Sequence, residues 1–289
     1  GGQVFLMKIL SFDIEDWFHV LDNPETASPA SWEKMPSRLE AGVDRILSLL
    51  SDTNQPATFF CLGWVADRYP EVIKKIVDGG YHLATHSHTH QLAYNQTKSE
   101  FEEDLWRSID TLQQLSGKKI DTYRAPGFSI TSTNLWAFES LQRLGIVTDC
   151  SVFPASRAHG GITEYTTALP SLIRYGKATL NSLPINTSQI LGKKIIYSGG
   201  GYFRLLPLWY LRRRFSNDNY IMTYFHPRDF DHQQPMVPGL SVARKFKSYV
   251  GLNGAYNKLE SLLKEHQFIN IDMAVKTINW DSVEKVVLG

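Results

Sequence analysis

The sequence has few cysteines and almost no net charge. Only two cysteines, Cys61 and Cys150, occur among 289 residues, and each lies in an apolar, strand-like run. This pattern argues against a disulfide scaffold, and we expect both cysteines to be reduced core residues. The formal net charge is +1 at pH 7. No overall electric field therefore attracts nucleic acid or an anionic membrane, and we predict no nucleic-acid partner.

Long apolar runs and targeting signals are also absent from the sequence. No apolar run approaches the length of a membrane-spanning helix, so we predict no transmembrane segment. The opening residues, Gly-Gly-Gln-Val-Phe-Leu-Met7, have neither the charged region nor the apolar region of a secretory signal peptide. We interpret residues 1–6 as a cloning remnant before a native Met7 and expect a cytoplasmic protein.

The composition is that of an ordinary globular protein. Hydrophobic residues make up 43% of the chain and charged residues 20%. A chain of 289 residues can form one α/β barrel or two smaller domains. Because no internal repeat, low-complexity tract or long linker divides the chain, we expect a single domain over residues 7–280.

Apolar strand-like runs alternate with helical patterns along the chain. Strands are predicted before the histidines of residues 86–90, at a run ending in residues 123–124, and at residues 8–12, 57–61, 146–150, 220–225 and 268–272. Capping-box patterns at residues 37–40 and 97–100 predict helix starts, whereas the glycine-rich residues 199–204 predict a loop. Repeated βα units imply a parallel sheet, and their continuity favours a closed or nearly closed barrel.

The most unusual stretch contains three histidines at alternate positions. His86, His88 and His90 are three of the nine histidines of the chain, and they directly follow a predicted strand. Imidazole is the commonest metal ligand among side chains. A turn at the strand end would direct His86 and His90 towards a common point, with His88 facing elsewhere. We therefore predict a metal site there and interpret His88 as structural.

Other polar residues also follow predicted strands. Those at or near the ends of strands are Asp13, Glu15, Asp16, Arg124, Asp149, His226 and Asp229. In α/β barrels the chemistry collects at the carboxyl ends of the strands. A single residue of this kind is readily explained as a helix cap or a hydrogen-bonded core group. So many acids, histidines and an arginine at one rim instead predict an active site.

Four motifs occur in a characteristic order along the chain. They are Phe12-Asp-Ile-Glu-Asp16, His86-Ser-His-Thr-His90, Arg124-Ala-Pro126 and Phe225-His-Pro227. In this order and rough spacing the chain resembles the polysaccharide deacetylases, the NodB-homology enzymes of carbohydrate esterase family 4. The resemblance extends from about Lys8 to Asp272 and implies a distorted (β/α)7 barrel. Residues 149–154 and 199–204 further resemble the subgroup found in bacterial exopolysaccharide and O-antigen loci.

The resemblance implies a role for each matching residue. His86 and His90 match the metal-binding histidines, and Asp13 matches the general base. Arg124 matches the arginine that positions this base, and His226 matches the late histidine that acts as the general acid.

The opening motif departs from the commonest family pattern, which has two adjacent aspartates. Ile14 occupies the second of these places. The acidic metal ligand would then be Glu15, as in a variant with acids two residues apart, or Asp16. The fourth family motif is not recognisable, and we expect Asp149 to replace its aspartate as a tether for Arg124.

The residue types also suit amide hydrolysis on chemical grounds. A divalent metal ion held by two imidazoles and a carboxylate acidifies water and polarises a carbonyl group. Asp13 would take the proton of the attacking water, and the positive charge of Arg124 would keep Asp13 ionised. His226 would protonate the leaving amine. The ligand types favour one zinc ion, with cobalt or iron(II) as alternatives.

The resemblance implies a hydrolase that removes N-acetyl or O-acetyl groups from an amino-sugar-containing polysaccharide, oligosaccharide or sugar precursor. The expected partner is therefore an N-acetylated carbohydrate. One alternative is an allantoinase-like amidase that acts on a non-sugar C–N bond. The other is a catalytically inactive glycan-binding module. Such a module would lack the base or the acid, and the sequence contains candidates for both.

Overall fold

The computed structural model describes residues 2–289 and contains twelve strands and eleven α-helices. The strands are β1 Met7–Ile9, β2 Ser11–Ile14, β3 Thr58–Cys61, β4 His82–Thr85, β5 Thr122–Tyr123, β6 Thr148–Asp149, β7 Ser171–Tyr175, β8 Ala178–Ser182, β9 Ser188–Ile190, β10 Lys193–Ile195, β11 Tyr220–Met222 and β12 Glu284–Val287. The helices are α1 Pro29–Trp32, α2 Leu39–Thr53, α3 Gly63–Arg68, α4 Pro70–Asp78, α5 Lys98–Ser116, α6 Trp136–Arg143, α7 Gly200–Leu205, α8 Leu208–Asn217, α9 Val242–Tyr249, α10 Leu252–Glu265 and α11 Ile271–Thr277. Short 3-10 turns cover Pro24–Thr26, Ala93–Asn95, Pro126–Phe128 and Pro227–Phe230.

Eight strands form one sheet in the order β12-β7-β8-β6-β5-β4-β3-β2. Neighbours in this sheet are parallel except for the β7–β8 hairpin. Strand β1 pairs in parallel with β11, and Phe12 of β2 forms a parallel bridge with Phe225. Between β11 and the segment after β8, the side-chain oxygen of Asn186 accepts a hydrogen bond from Met222 N at 2.9 Å. This nearly closed arrangement agrees with the predicted distorted barrel.

The central strands are buried because helices cover the outer face of the sheet. Every residue of β2 and β3 is buried, as their apolar sequences predict for strands covered on both faces. Phe12 and Phe59 stack with ring centroids 5.3 Å apart in the main core. From α2, Val43, Ile46 and Leu50 join the same core. The polar residues that follow β2 are consequently held on a rigid frame.

One of the two predicted capping boxes is confirmed. Thr97 accepts a hydrogen bond from Glu100 N, and the Glu100 carboxylate accepts one from Thr97 N at the start of α5. The box predicted at residues 37–40 is wrong, because α2 begins at Leu39 and the Ser37 oxygen accepts from Leu39 N at 3.2 Å rather than from Glu40 N. The Asp16 carboxylate accepts from Arg38 N and from the Ser37 hydroxyl, and it thus satisfies groups just before the helix.

Two predictions in the second half of the chain are also wrong. Residues 199–204 were expected to form a loop, but α7 begins at Gly200 and buries Phe203 and Arg204. A strand at residues 268–272 was expected, but only Ile269 forms a bridge. Asn270 then caps α11 by accepting a hydrogen bond from Met273 N. Burial of two side chains and a helix cap outweigh the local sequence preferences.

Residues near the start of the chain pack against its end. Gln3 donates hydrogen bonds to Asn279 O and Ser282 Oγ, and Phe5 is buried. These residues belong to the segment interpreted as a cloning remnant, of which residue 1 lies outside the described residues. Both cysteines are buried and unpaired, as predicted. Within residues 2–289, no helix is both long and apolar enough to cross a membrane.

Candidate metal centre and its catalytic neighbours

Glu15, His86 and His90 meet at the carboxyl ends of β2 and β4. These two strands flank β3, so residues that follow them lie on the same rim of the sheet. One carboxylate oxygen of Glu15 and one ring nitrogen of each histidine all lie within 4.8 Å of one another. All three side chains are buried. The structure therefore brings together both predicted histidine ligands and one of the two candidate acids.

A tight turn after β4 directs the two histidines to this point. Ser87 and His90 have positive φ values of 75° and 52°, which non-glycine residues adopt only where the surroundings enforce them. The Ser87 hydroxyl accepts a hydrogen bond from His90 N at 3.2 Å. His88 points away from the cluster, and its Nε2 lies 3.0 Å from the Asp67 carboxylate. This placement agrees with the structural role predicted for His88.

The hydrogen bonds of His86 leave its Nε2 facing the cluster. Its Nδ1 lies 2.8 Å from the carbonyl oxygen of Arg124, which can only accept, so Nδ1 carries a proton. The Nε2 of His86 lies 3.2 Å from Glu15 Oε2, and that of His90 lies 2.5 Å from the same atom. Two imidazoles and a carboxylate, with one ring fixed by a backbone carbonyl, fit a catalytic divalent-metal site.

Glu15 has the electrostatic environment of a ligand. Burial alone raises the pKa of Glu15, but the charges of His90 and His226 and hydrogen bonds from the cluster histidines lower it well below its usual range. Glu15 is therefore ionised at neutral pH, as metal binding requires.

Asp16 lies outside the cluster. Its Oδ2 accepts a hydrogen bond from the Ser37 hydroxyl at 2.5 Å, and its Oδ1 accepts from the backbone of Trp17 at 3.0 Å and Arg38 at 3.2 Å. Burial raises the pKa of Asp16, although these hydrogen bonds oppose that effect. The Asp16 carboxylate thus holds the chain that enters α2. Of the two acids considered from the sequence, only Glu15 faces the histidines.

Asp13 and Arg124 form a buried ion pair beside the cluster. The Arg124 Nη1 lies 2.9 Å from Asp13 Oδ1 and 2.8 Å from the Ser11 hydroxyl. Its Nε donates to the carbonyl oxygen of Cys150 at 3.1 Å. The guanidinium is therefore fixed by β2 and by the residue that follows β6, and it fixes one oxygen of Asp13. The other oxygen, Oδ2, lies 3.5 Å from His226 Nε2.

The predicted tether between Asp149 and Arg124 is not formed. The Asp149 carboxylate instead accepts hydrogen bonds from the Ser151 hydroxyl at 2.7 Å and from Ser151 N at 3.0 Å. The Ser151 hydroxyl in turn accepts from Ala125 N at 2.8 Å. Burial raises the pKa of Asp149 to about 6. Because its carboxylate turns back on its own chain, Asp149 fixes the backbone after Arg124 rather than the guanidinium.

His226 lies on the open side of the cluster. Its Nε2 is 3.3 Å from Glu15 Oε1, and its Nδ1 is 3.3 Å from Asp229 Oδ2. Its side chain is 20% exposed, compared with 3% for Asp13. Burial lowers the pKa of His226, but the charges of Glu15, Asp229 and Asp13 outweigh it and raise the pKa to about 9. The imidazole is therefore a proton donor at neutral pH.

The sequence places Asp229 after a predicted strand and assigns it no role. In the structure its Oδ2 also accepts a hydrogen bond from His226 N at 2.8 Å, within the turn Pro227–Phe230. The sequence signal for this contact is the three-residue spacing between a histidine and an aspartate after a strand, because that is the spacing of a capping box.

The chain is similar in sequence and in fold to known proteins. Residues 28–146 match the family described as polysaccharide deacetylase, and residues 150–276 match a domain of unknown function. A solved structure of a putative polysaccharide deacetylase from Mycobacterium smegmatis superposes on 99% of this chain and 94% of its own, with a TM-score of 0.67 and 18% identity. Residues 28–146 are thus similar to the polysaccharide deacetylase family. The superposition confirms the predicted distorted barrel as the fold of this chain.

Two relatives of known name match part of the chain. The peptidoglycan deacetylase of Helicobacter pylori is 27% identical over 126 residues, which are 44% of this chain and 40% of that protein. The peptidoglycan-N-acetylglucosamine deacetylase of Bacillus cereus is 29% identical over 96 residues, 33% of this chain and 35% of that protein. The chain thus spans less than half the length of these relatives. Asp13 and Glu15 precede both matched regions, so their placement rests on the geometry of the barrel.

Proposed function

We propose that this protein is a metal-dependent hydrolase that removes N-acetyl groups from an amino-sugar-containing glycan. One observation carries the proposal, namely that an arginine-bound Asp13 and the partly exposed His226 both lie beside a buried Glu15-His86-His90 cluster. The names of the two relatives, both deacetylases of peptidoglycan, support an N-acetylated sugar polymer as the substrate class.

Glu15, His86 and His90 would hold the divalent ion. Zinc is the ion that this set of ligands favours, with cobalt or iron(II) as alternatives. When bound, such an ion lowers the pKa of water and polarises the acetyl carbonyl group. A cleft of about 410 Å³ beside His90, lined also by Trp32 and Leu92, gives room for a sugar next to these ligands.

The residues around the cluster divide the proton transfers between them. Asp13 takes the proton of the attacking water, because Arg124 occupies its Oδ1 and leaves Oδ2 facing the cluster. His226 gives a proton to the leaving amine through Nε2. Asp229 contacts the opposite ring nitrogen and so orients the ring for this transfer.

The proposed function can be tested by measuring the acetate released from a panel of substrates. The panel contains peptidoglycan fragments, chitooligosaccharides and N-acetylated nucleotide sugars. Opening of the allantoin ring to allantoate, which releases no acetate, is measured in a separate assay. We expect release from at least one sugar substrate, its loss with a chelator and its return with added zinc. Hydrolysis of allantoin alone would favour the non-sugar amidase. Glycan binding without any release by metal-loaded protein would favour the inactive module.

Metal analysis of two variants tests which acid is the ligand. We expect about one divalent ion per chain in the wild type and loss of that ion in Glu15→Ala. Asp16→Ala is the matched control and should keep the ion, because its carboxylate contacts Ser37 and Arg38 instead. Asp16→Ala should nevertheless unfold at a lower temperature. A folded Asp16→Ala protein without metal would contradict this assignment.

A further inference from the structure

Arg204 lies buried behind His226, on the far side of Asp229. It is only 4% exposed, and its Nε lies 3.4 Å from Asp229 Oδ1. Within residues 2–289, neither of these two buried atoms has a hydrogen-bond partner of its own. The Asp229 carboxylate is thus contacted on both sides, by His226 at Oδ2 and by Arg204 at Oδ1.

The rest of the Arg204 guanidinium binds the end of α9. Its Nη1 donates to the carbonyl oxygens of Ser248 at 3.0 Å and Val250 at 2.8 Å, and its Nη2 donates to that of Lys247 at 3.1 Å. None of the residues of α9 is buried, so apolar packing holds this helix only weakly. Carbonyl groups at a helix end lack partners within the helix, and a guanidinium supplies them.

Close backbone contacts make this arrangement specific. Gly251 has a φ of 73°, and a Cβ there would lie 2.3 Å from the carbonyl oxygen of Arg204. A Cβ on Gly201 would already lie 3.2 Å from Lys247 O. Both glycines therefore allow α7 and the end of α9 to approach closely enough for one guanidinium to reach three carbonyl groups and a carboxylate.

We propose that Arg204 is a positioning residue for the reaction, acting through Asp229 to hold His226 in the orientation that protonates the leaving amine. The inference rests on the proposed function and extends it to a residue outside the Glu15-His86-His90 cluster. The contact from His226 Nδ1 to Asp229 is long, at 3.3 Å. The backbone N–H of His226 holds Asp229 Oδ2 at 2.8 Å, and Arg204 contacts the other oxygen, so Arg204 limits rotation of the carboxylate about that bond. A planar guanidinium with several donors suits this task, and the single ammonium of lysine does not.

The test compares Arg204→Met with Lys258→Met. Lys258 Nζ donates to the carbonyl oxygens of Arg204 and Leu206, both at 2.7 Å. It thus supports the end of α7, the helix that carries Arg204, without being part of the Asp229 contact. Both variants should keep the metal and lose some thermal stability. Arg204→Met should lower kcat on an N-acetylated sugar by about 10- to 100-fold, the cost of a misplaced catalytic group. The leaving group of an activated acetyl ester needs no protonation, so the kcat of Arg204→Met on such an ester should fall much less.

Lys258→Met should leave the ratio of the amide rate to the ester rate unchanged. Arg204→Lys keeps the charge and provides a second variant if Arg204→Met does not fold; it should show the same change of ratio, in a weaker form. Equal losses on both substrates, or no loss, would overturn the positioning role. The ring signals of His226 in a nitrogen–proton NMR spectrum report the contact without turnover. Shifted signals in Arg204→Met, with no acetate released by the wild type, would uphold the contact and refute the hydrolase; unshifted signals would refute the contact.

Discussion

The Asp13→Asn variant is expected to bind the divalent ion normally and to lose kcat by about 10²–10⁴-fold. Asparagine keeps an oxygen that can accept the hydrogen bond from Arg124 Nη1, now 2.9 Å long. Its amide cannot take a proton from water. Asp13 contributes no atom to the Glu15-His86-His90 group, so metal content should not change. Elemental analysis and steady-state kinetics on the same preparation measure both properties.

A substrate with a better leaving amine should not rescue Asp13→Asn, because activation of the attacking water is still missing. The variant should also be less stable than the wild type. Arg124 is fully buried, and removing the charge that compensates a buried ion costs up to about 3–5 kcal/mol. The hydrogen bonds to Ser11 and Cys150 reduce this cost. A folded Asp13→Asn protein with the wild-type rate would rule out Asp13 as the base.

The kcat of the His226→Ala variant on an unactivated N-acetyl substrate is expected to fall by about 10²–10⁴-fold, as for Asp13→Asn. Unlike Asp13→Asn, it should recover part of its rate on a substrate with a better leaving amine. The wild-type rate should fall as the pH rises through the pKa of His226, because an acid must be protonated to act. That pKa is raised to about 9 by Glu15, Asp229 and Asp13, although burial lowers it. A cation held by Glu15 lowers the pKa of His226, so the basic limb of the pH profile of kcat should lie below pH 9.

Removing the imidazole should flatten this basic limb, and a pH profile of kcat for both proteins measures the change. Metal content is the control, since His226 is not among the three candidate ligands. An unchanged rate would make the late histidine structural. Loss of the ion from a folded His226→Ala protein would make it a ligand.

The parts of the candidate site that follow strands could be predicted from the sequence. Asp13 lies near the end of β2, Glu15 follows that strand directly, and the run of histidines follows β4 directly. The choice between Glu15 and Asp16 could not be made in this way. It depends on Ser37, which lies 21 residues further along the chain and takes up the Asp16 carboxylate.

The contacts that could not be predicted join distant segments. The Asp149 tether is wrong because the carboxylate bonds within its own turn, a local alternative that strand spacing does not reveal. The helix at Gly200–Leu205 begins in glycines, which disfavour helices by about 1 kcal/mol each. Its formation depends on the burial of Phe203 and of Arg204, whose carbonyl partners lie more than 40 residues away.

The pairing of β1 with β11 has a consequence for how the chain folds. It brings together residues such as Ser11 and Thr223, which are 212 positions apart. During synthesis, Glu15, His86 and His90 are all made long before β11, so the open edge beside β1 and β2 stays uncovered until Tyr220–Met222 emerges. Contacts of such long range fold slowly, and an uncovered strand edge favours pairing with other chains. Nascent chains that stop before β11 should therefore be especially prone to aggregate.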